Sequence, residues 1–214
     1  MSEIVKIENF VDSSEAINKA AKTINLGGVV VFPAKCLYGV AVDALNSEAV
    51  NRVFNIKQRP SNNPLLVLID DISQLNSLLK PISEKQLISE QALYLIDKFW
   101  PGNITLVFHA SPALPKTLTS GTGKIGVRVP GHPVARALVK AVGKPITGTS
   151  ANISGQAGCK EISMLAPEIL SKVDMVLDAG TLKGGIGSTV VDLTCNPIKI
   201  LRQGEIASSE ILKE

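Results

Sequence analysis

Gly121-Thr122-Gly123-Lys124-Ile125-Gly126 spells G-x-G-x-x-G, the pattern of a dinucleotide-binding turn. If the turn were real, the fold would be a doubly wound parallel sheet. The fingerprint works only when a strand leads into it and a helix leads out, so that the pyrophosphate rests on the helix N-terminus. Here a loop precedes the glycines and Ile125 to Val129 reads as a strand after them. No acid stands where one would grip a ribose. The segment is therefore a turn into a strand, and the fold must be read from the rest of the chain. Val29 to Phe32 and Leu65 to Ile69 read as buried strands, and Ile104 to Phe108, Thr189 to Leu193 and Ile198 to Leu201 as further strands, with shorter ones at Pro145 to Thr149 and Met175 to Leu177. Helices are expected after Asp12-Ser13-Ser14-Glu15, which resembles a capping box, and over Ser47 to Gln58. Others are expected from Ser83-Glu84-Lys85-Gln86 to near Phe99, from Pro133 to Val142, and around Ala166 to Lys172. Helices and strands intermix without strict alternation. The expected class is α/β: a twisted mixed sheet covered by helices, in one domain over 1–214.

Composition narrows the function. The chain has 214 residues, is 45% hydrophobic and carries a formal charge of +3. No apolar run approaches the ~20 residues a bilayer span needs. Met1-Ser2-Glu3-Ile4 lacks the basic, then apolar, character of a secretion signal. Cys36, Cys159 and Cys195 form no Cys-x-x-Cys pair and are odd in number, against a disulfide framework or a zinc site. The expectation is a soluble cytoplasmic protein with no bound metal of its own. Charge is unevenly spread. From Lys98 to Lys160 there is no carboxylate but eight basic residues: Lys98, Lys116, Lys124, Arg128, Arg136, Lys140, Lys144 and Lys160. Such a stretch suits phosphate or nucleic acid, against the plainer alternative of a solvated basic face.

Two polar segments sharpen the anion reading. Lys57-Gln58-Arg59-Pro60-Ser61-Asn62-Asn63-Pro64 sets two cations and two asparagine amides at a helix end before a buried strand. A lysine is a mobile point charge and an arginine a rigid donor fork, a pairing suited to polyphosphate. Basic residues complementing a helix C-terminus would look the same. Thr147-Gly148-Thr149-Ser150-Ala151-Asn152-Ile153-Ser154-Gly155 offers hydroxyls, an amide and backbone N–H groups after a strand, and such a turn can cradle phosphate. Gly184 to Thr189 and Leu201 to Gly204 put further polar groups at strand ends. His109 and His132, the only histidines, read as structural or capping residues.

In order and spacing these segments resemble the YrdC-type threonylcarbamoyl-adenylate synthase family, from about Gly27 to Gly204. The matching pieces include Leu37-Tyr38-Gly39, Lys57-x-Arg59-Pro60, Asn63-Pro64-Leu65 and Val127-Arg128-Val129-Pro130-x-His132-Pro133. Ser150-Ala151-Asn152-x-Ser154-Gly155, Ser188-Thr189-Val190-Val191-Asp192 and Ile200-Leu201-Arg202-x-Gly204 follow. The resemblance implies a short single-domain form, YrdC-like, folded around a large basic cavity. It implies condensation of L-threonine, bicarbonate and ATP to threonylcarbamoyl-AMP and pyrophosphate, with magnesium accompanying the ATP. The product would pass to tRNA-modifying threonylcarbamoyl transferase proteins that act on adenosine 37. By motif, Lys57, Arg59, Asn63, Ser150, Asn152 and Arg202 would surround ATP, with Lys57 and Arg59 closest to the chemistry. Arg128 and Ser188 would contact L-threonine, and Tyr38 would line the pocket.

The chain departs from the family mainly on the amino-acid side. Pro33-Ala34-Lys35-Cys36-Leu37-Tyr38-Gly39 stands where P-T-[DE]-T-x-Y-G is usual. Leu68 replaces a frequent histidine, Lys124 a small polar residue, and Gly148-Thr149-Ser150 the usual Ala-Pro-Ser. Threonine is still the expected acceptor, with looser discrimination, although a different acceptor would also fit these changes. An RNA-binding module is the competing class, with weak RNA binding as a lesser possibility. Aromatics at 4%, with one Trp and two Tyr, supply few stacking platforms for it. The YrdC-like domain of hydrogenase-maturation carbamoyltransferases is a third reading, but those chains carry zinc-finger and acylphosphatase segments not found here.

Overall fold

The computed structural model describes residues 2–7, 13–84 and 86–212. In chain order the elements are β1 (Glu3–Lys6), α1 (Ser14–Asn25), β2 (Val30–Pro33), β3 (Tyr38–Ala41), α2 (Ser47–Lys57), β4 (Leu66–Leu68), α3 (Leu75–Leu78), α4 (Glu90–Phe99), β5 (Ile104–His109) and α5 (Lys116–Thr119). They continue with β6 (Lys124–Arg128), α6 (Pro133–Val142), β7 (Ile146–Thr147), β8 (Thr149–Ser150), α7 (Pro167–Leu170), β9 (Met175–Asp178), β10 (Thr189–Asp192), β11 (Lys199–Arg202) and α8 (Ser208–Ile211). The class is mixed α/β as expected, but the strands form two sheets rather than one. Five strands run β1-β9-β2-β3-β8 and six run β11-β10-β5-β6-β4-β7, each mixing parallel and antiparallel pairs.

The division falls at Gly148. Ile146 and Thr147 pair with β4 in the six-stranded sheet, while Thr149 and Ser150 pair with β3 in the other. The chain thus crosses from sheet to sheet within one residue. A Cβ built at Gly148 would lie 2.6 Å from Leu68 Cγ and 2.9 Å from Leu68 Cδ1, so only glycine passes there without displacing the leucine.

β2 shows how the core is built. Its side chains alternate, as a strand's must. Val29 and Val31 join the larger cluster with Val50 and Val53 of α2 and Leu106 and Val127 of the six-stranded sheet. Val30 and Phe32 face the other way, onto Ile17 and Ile24 of α1 and Leu138 and Val142 of α6. α2 begins on Asn46, whose side chain accepts from Glu48 N and Ala49 N, and ends on a left-handed Gln58 (φ 47°).

Three expected helices change. α4 starts at Glu90, not Ser83, because the Ser89 side chain supplies the cap by accepting from Ala92 N. Ser83 instead bridges to Gln86, and Lys85 lies outside the described residues. α1 starts at Ser14, and Asp12 of the expected capping box also lies outside the described residues. The helix expected around Ala166 to Lys172 is a single turn, α7. Strands β1 and β3 were not expected. Among the described residues no helix is long and apolar enough to cross a membrane.

Candidate active site

A cavity of about 640 Å³ opens on one face of the six-stranded sheet. Its floor follows from strand alternation. On β6, Lys124, Gly126 and Arg128 face the cavity, while Ile125 and Val127 enter the core. Register then sets the rows. Asp192, Val107, Gly126 and Leu66 lie side by side across four strands. The next row holds Arg202, Val190 and Thr105, with Leu68 beside Arg128. Lys124 and Arg128 are four residues apart, about 13 Å along a strand. The site therefore has two charged ends and an uncharged middle. The lining carries five cations, Lys35, Arg59, Lys124, Arg128 and Arg202, and one carboxylate, Asp192.

The acid-free stretch explains little of this. Of its eight basic residues only Lys124 and Arg128 line the cavity. Lys116, Arg136, Lys140 and Lys160 are exposed elsewhere, Lys98 lies over the rings of Tyr94 and Phe99, and Lys144 pairs with Asp43 at 2.6 Å.

At one end Arg128 donates through Nε to Gly102 O (2.6 Å) and through Nη2 to Asn103 Oδ1 (2.7 Å). Burial is the main cause that pulls its pKa down to about 10, and the neighbouring Arg202 charge adds to it. Arg202 donates from Nε and Nη2 to Ser188 O (3.1 and 2.9 Å), and from Nη2 to Ser188 Oγ (3.2 Å). The Ser188 hydroxyl also bonds Thr105 Oγ1 at 2.7 Å. The Arg128 guanidinium and the more exposed one of Arg202 are close enough to repel, with the Glu205 carboxylate acting on Arg128 in the opposite sense, and together they offer donors to a bound anion. At the other end Lys124 Nζ meets Asp192 Oδ2 at 2.8 Å. Burial alone would raise the Asp192 carboxyl, but the bonds from Lys124 and Thr194 outweigh it and hold it below its ordinary value. Arg59 lies beside Asn63 and grips its own loop, donating to Asn63 O (2.8 Å) and Pro64 O (2.9 Å).

Of the nine residues expected at the site, seven line this cavity: Tyr38, Arg59, Asn63, Arg128, Ser150, Ser188 and Arg202. Tyr38 does so without its hydroxyl, which donates to Gly180 O (2.8 Å) and accepts from Ala179 N (2.9 Å). Lys57 and Asn152 stand behind the wall. Lys57 is 1% exposed and its ammonium donates to Ser150 O and to Asn152 O, the latter at 2.7 Å. Burial first, then the nearby Arg59 charge, brings its pKa down to about 8. Asn152 turns its amide onto Ile153 O and Gln156 O, both at 2.8 Å. His132 precedes α6 without capping it, and its Nδ1 is buried with no partner; His109 is exposed at the end of β5. Asn103 and Thr105 lie outside the matching motifs, and Asp192 closes one of them without a site role being implied for it. The available signal was polar residues at alternate positions of otherwise apolar strands.

The family model Sua5/YciO/YrdC, described as telomere recombination, matches residues 22–204. The chain belongs to the Sua5/YciO/YrdC family. It is 38% identical over 197 residues to the threonylcarbamoyl-AMP synthase of Pyrococcus abyssi, covering 92% of this chain and 56% of that protein. Like the next relatives, that protein is much longer, and the chain spans about half the length of the curated relatives it matches first. A putative threonylcarbamoyl-AMP synthase of Methanocaldococcus jannaschii is 31% identical, with 99% and 98% covered. Among solved structures, P. abyssi Sua5 complexed with L-threonine has a TM-score of 0.88 at 35% identity, over 99% of this chain and 59% of that one.

Proposed function

We propose that this Sua5/YciO/YrdC chain condenses L-threonine, bicarbonate and ATP to threonylcarbamoyl-AMP and pyrophosphate, acting as a nucleotidyltransferase in the cytoplasm. The observation that carries this reading is the cavity's charge plan. Two guanidiniums, Arg128 and Arg202, lie at one end, Lys124 paired with Asp192 stands further along β6, and Arg59 also lines the cavity. Threonine's amine adds to carbon dioxide with loss of a proton, or to bicarbonate with loss of water, to give a carbamate. A carbamate oxygen attacks the α-phosphate, and pyrophosphate leaves with its electron pair. Arg59, Asn63, Ser150 and Arg202 surround the nucleotide, and Arg128 and Ser188 hold the amino acid's carboxylate. Their task is alignment and charge neutralisation. Lys57 and Asn152 act one layer back, fixing the turn that carries Ser150. Asp192 is the one lining carboxylate and is engaged by Lys124 and Thr194, so magnesium would travel with the phosphates rather than in a protein cage. The product would pass to transferase proteins that modify adenosine 37 of tRNA.

Bicarbonate-dependent pyrophosphate release with L-threonine tests the reaction. Arg59→Ala and Arg202→Ala should each weaken ATP binding by about 1.5–3 kcal/mol, the worth of one charge-assisted hydrogen bond. Calorimetric titration of folded variants measures it, and unchanged affinity in both removes the assignment. Cys36 lines the cavity, but no step above needs a thiolate. Cys36→Ser should keep at least partial turnover, and complete loss in a well-folded variant would contradict this mechanism.

A further inference from the structure

Two of the five cations that line the cavity are held by carboxylates, and the two pairs differ. Lys124 meets Asp192, whose side chain is 7% exposed and also accepts from Thr194 N and Oγ1 (2.9 and 2.6 Å). That acid is fixed from several sides. Lys35 Nζ meets Glu205 Oε2 at 2.9 Å, and both of these side chains are nearly half exposed. Among the described residues Lys35 is the only hydrogen-bond partner of the Glu205 carboxylate. The backbones beneath this pair are firmly placed. β2 and β3 pair Pro33 with Tyr38, so residues 34–37 form a hairpin tip. Ala34 N closes it on Leu37 O (3.1 Å), and Cys36 O accepts from Gly184 N (3.0 Å). Glu205 sits between Gly204 and Ile206, whose N–H groups both donate to Thr189 Oγ1 (3.0 and 3.1 Å). Only the two long side chains are free to part.

An exposed ion pair contributes little to stability. The position of this one gives it another use. The Glu205 carboxylate acts on the Arg128 guanidinium as well as on Lys35, and so does Cys36, the neighbour of Lys35 in the hairpin tip. The pair therefore stands at the Arg128 end of the cavity. The geometry points to Lys35 as a further anion-binding residue of this cavity, held in reserve by Glu205 and released to an incoming carboxylate or phosphate. Glu205 is a built-in competitor. While it holds Lys35 it neutralises that ammonium and repels a second anion. When an anion binds, the ammonium exchanges one oxygen partner for another and the Glu205 side chain turns to solvent. Lys124 has no such freedom, because Asp192 is buried and bonded to Thr194 as well. The inference concerns anion binding alone and does not depend on the proposed reaction.

The test is calorimetric titration of the whole chain with two probes, L-threonine as a carboxylate and inorganic pyrophosphate as a phosphate. The parent, Glu205→Gln, Lys35→Met and the double variant are compared, with thermal melts to confirm folding. Glu205→Gln should tighten at least one probe by about two- to fivefold, the range that an exposed ion pair spans. The probe that responds identifies the anion that Lys35 takes. Lys35→Met should then weaken that probe at least about twofold more in the Glu205→Gln background than in the parent, because only the released ammonium reaches the ligand. Unchanged affinity for both probes in folded Glu205→Gln would overturn the inference. So would a Lys35→Met effect equal in the two backgrounds, which is how charges acting only at a distance behave. Binding of neither probe by any of the four proteins would also remove it. Neither probe turns over alone, so missing pyrophosphate release would sink the proposed reaction and leave this result standing.

Discussion

Lys57→Ala is expected to lower the free energy of unfolding by about 2–5 kcal/mol. The ammonium donates to Ser150 O and Asn152 O from a site that is 1% exposed. Its removal takes a charged donor from both carbonyls, about 1.5–3 kcal/mol for such a bond, although Ser150 O keeps its bond from Asn152 N at 3.0 Å. Denaturant midpoints measure this, and an alanine variant as stable as the parent would contradict it. The pH dependence has a definite sign. The folded-state pKa is about 8, below the ordinary 10.5. Between those values the unfolded chain binds more protons than the folded one, so stability rises with pH across that window and is flat below it. Relative to Lys57→Met, which cannot titrate, the parent should gain stability between pH 8 and pH 10. A difference that stays constant over that range would show that the lysine is not held as described.

Arg128→Ala should reduce kcat/KM for the amino acid by about 100- to 1000-fold, because a bidentate carboxylate contact is worth two charge-assisted bonds. Arg128→Lys should restore little. A lysine cannot span Gly102 O and Asn103 Oδ1 while still offering a fork to the substrate. Pyrophosphate-release kinetics across a threonine series provide the comparison, with a thermal melt to confirm folding. More than one tenth of parental kcat/KM in folded Arg128→Ala would take the residue out of the acceptor site.

Local pattern told part of this in advance. α6 is legible because Pro133 fixes its start and its apolar residues recur at helical spacing. β2 is legible because four consecutive buried residues leave no other economical fold. The division into two sheets was hidden, since Thr147 and Thr149 read as one short strand and only tertiary pairing separates them at Gly148. Ser83 and Ser89 are both plausible caps in sequence, and it is the Ser89 side chain that accepts from Ala92 N. At the site, Arg59, Arg128 and Arg202 line the cavity from the motifs that contain them. The burial of Lys57 is not legible, because a lysine at a helix end looks the same whether it faces a cavity or two carbonyls of a distant turn. Asp192 ends a matching motif, but its bond to Lys124, 68 residues away, exists only in the fold.

The contact between Leu68 and Gly148 also constrains how this sequence can change over time. An alanine at 148 meets Leu68 Cγ at 2.6 Å, so it is disfavoured while the leucine remains. The two positions are therefore coupled: the cost of a Cβ at 148 depends on which side chain stands at 68 and how far it can shift. Change at one position alters what is tolerated at the other.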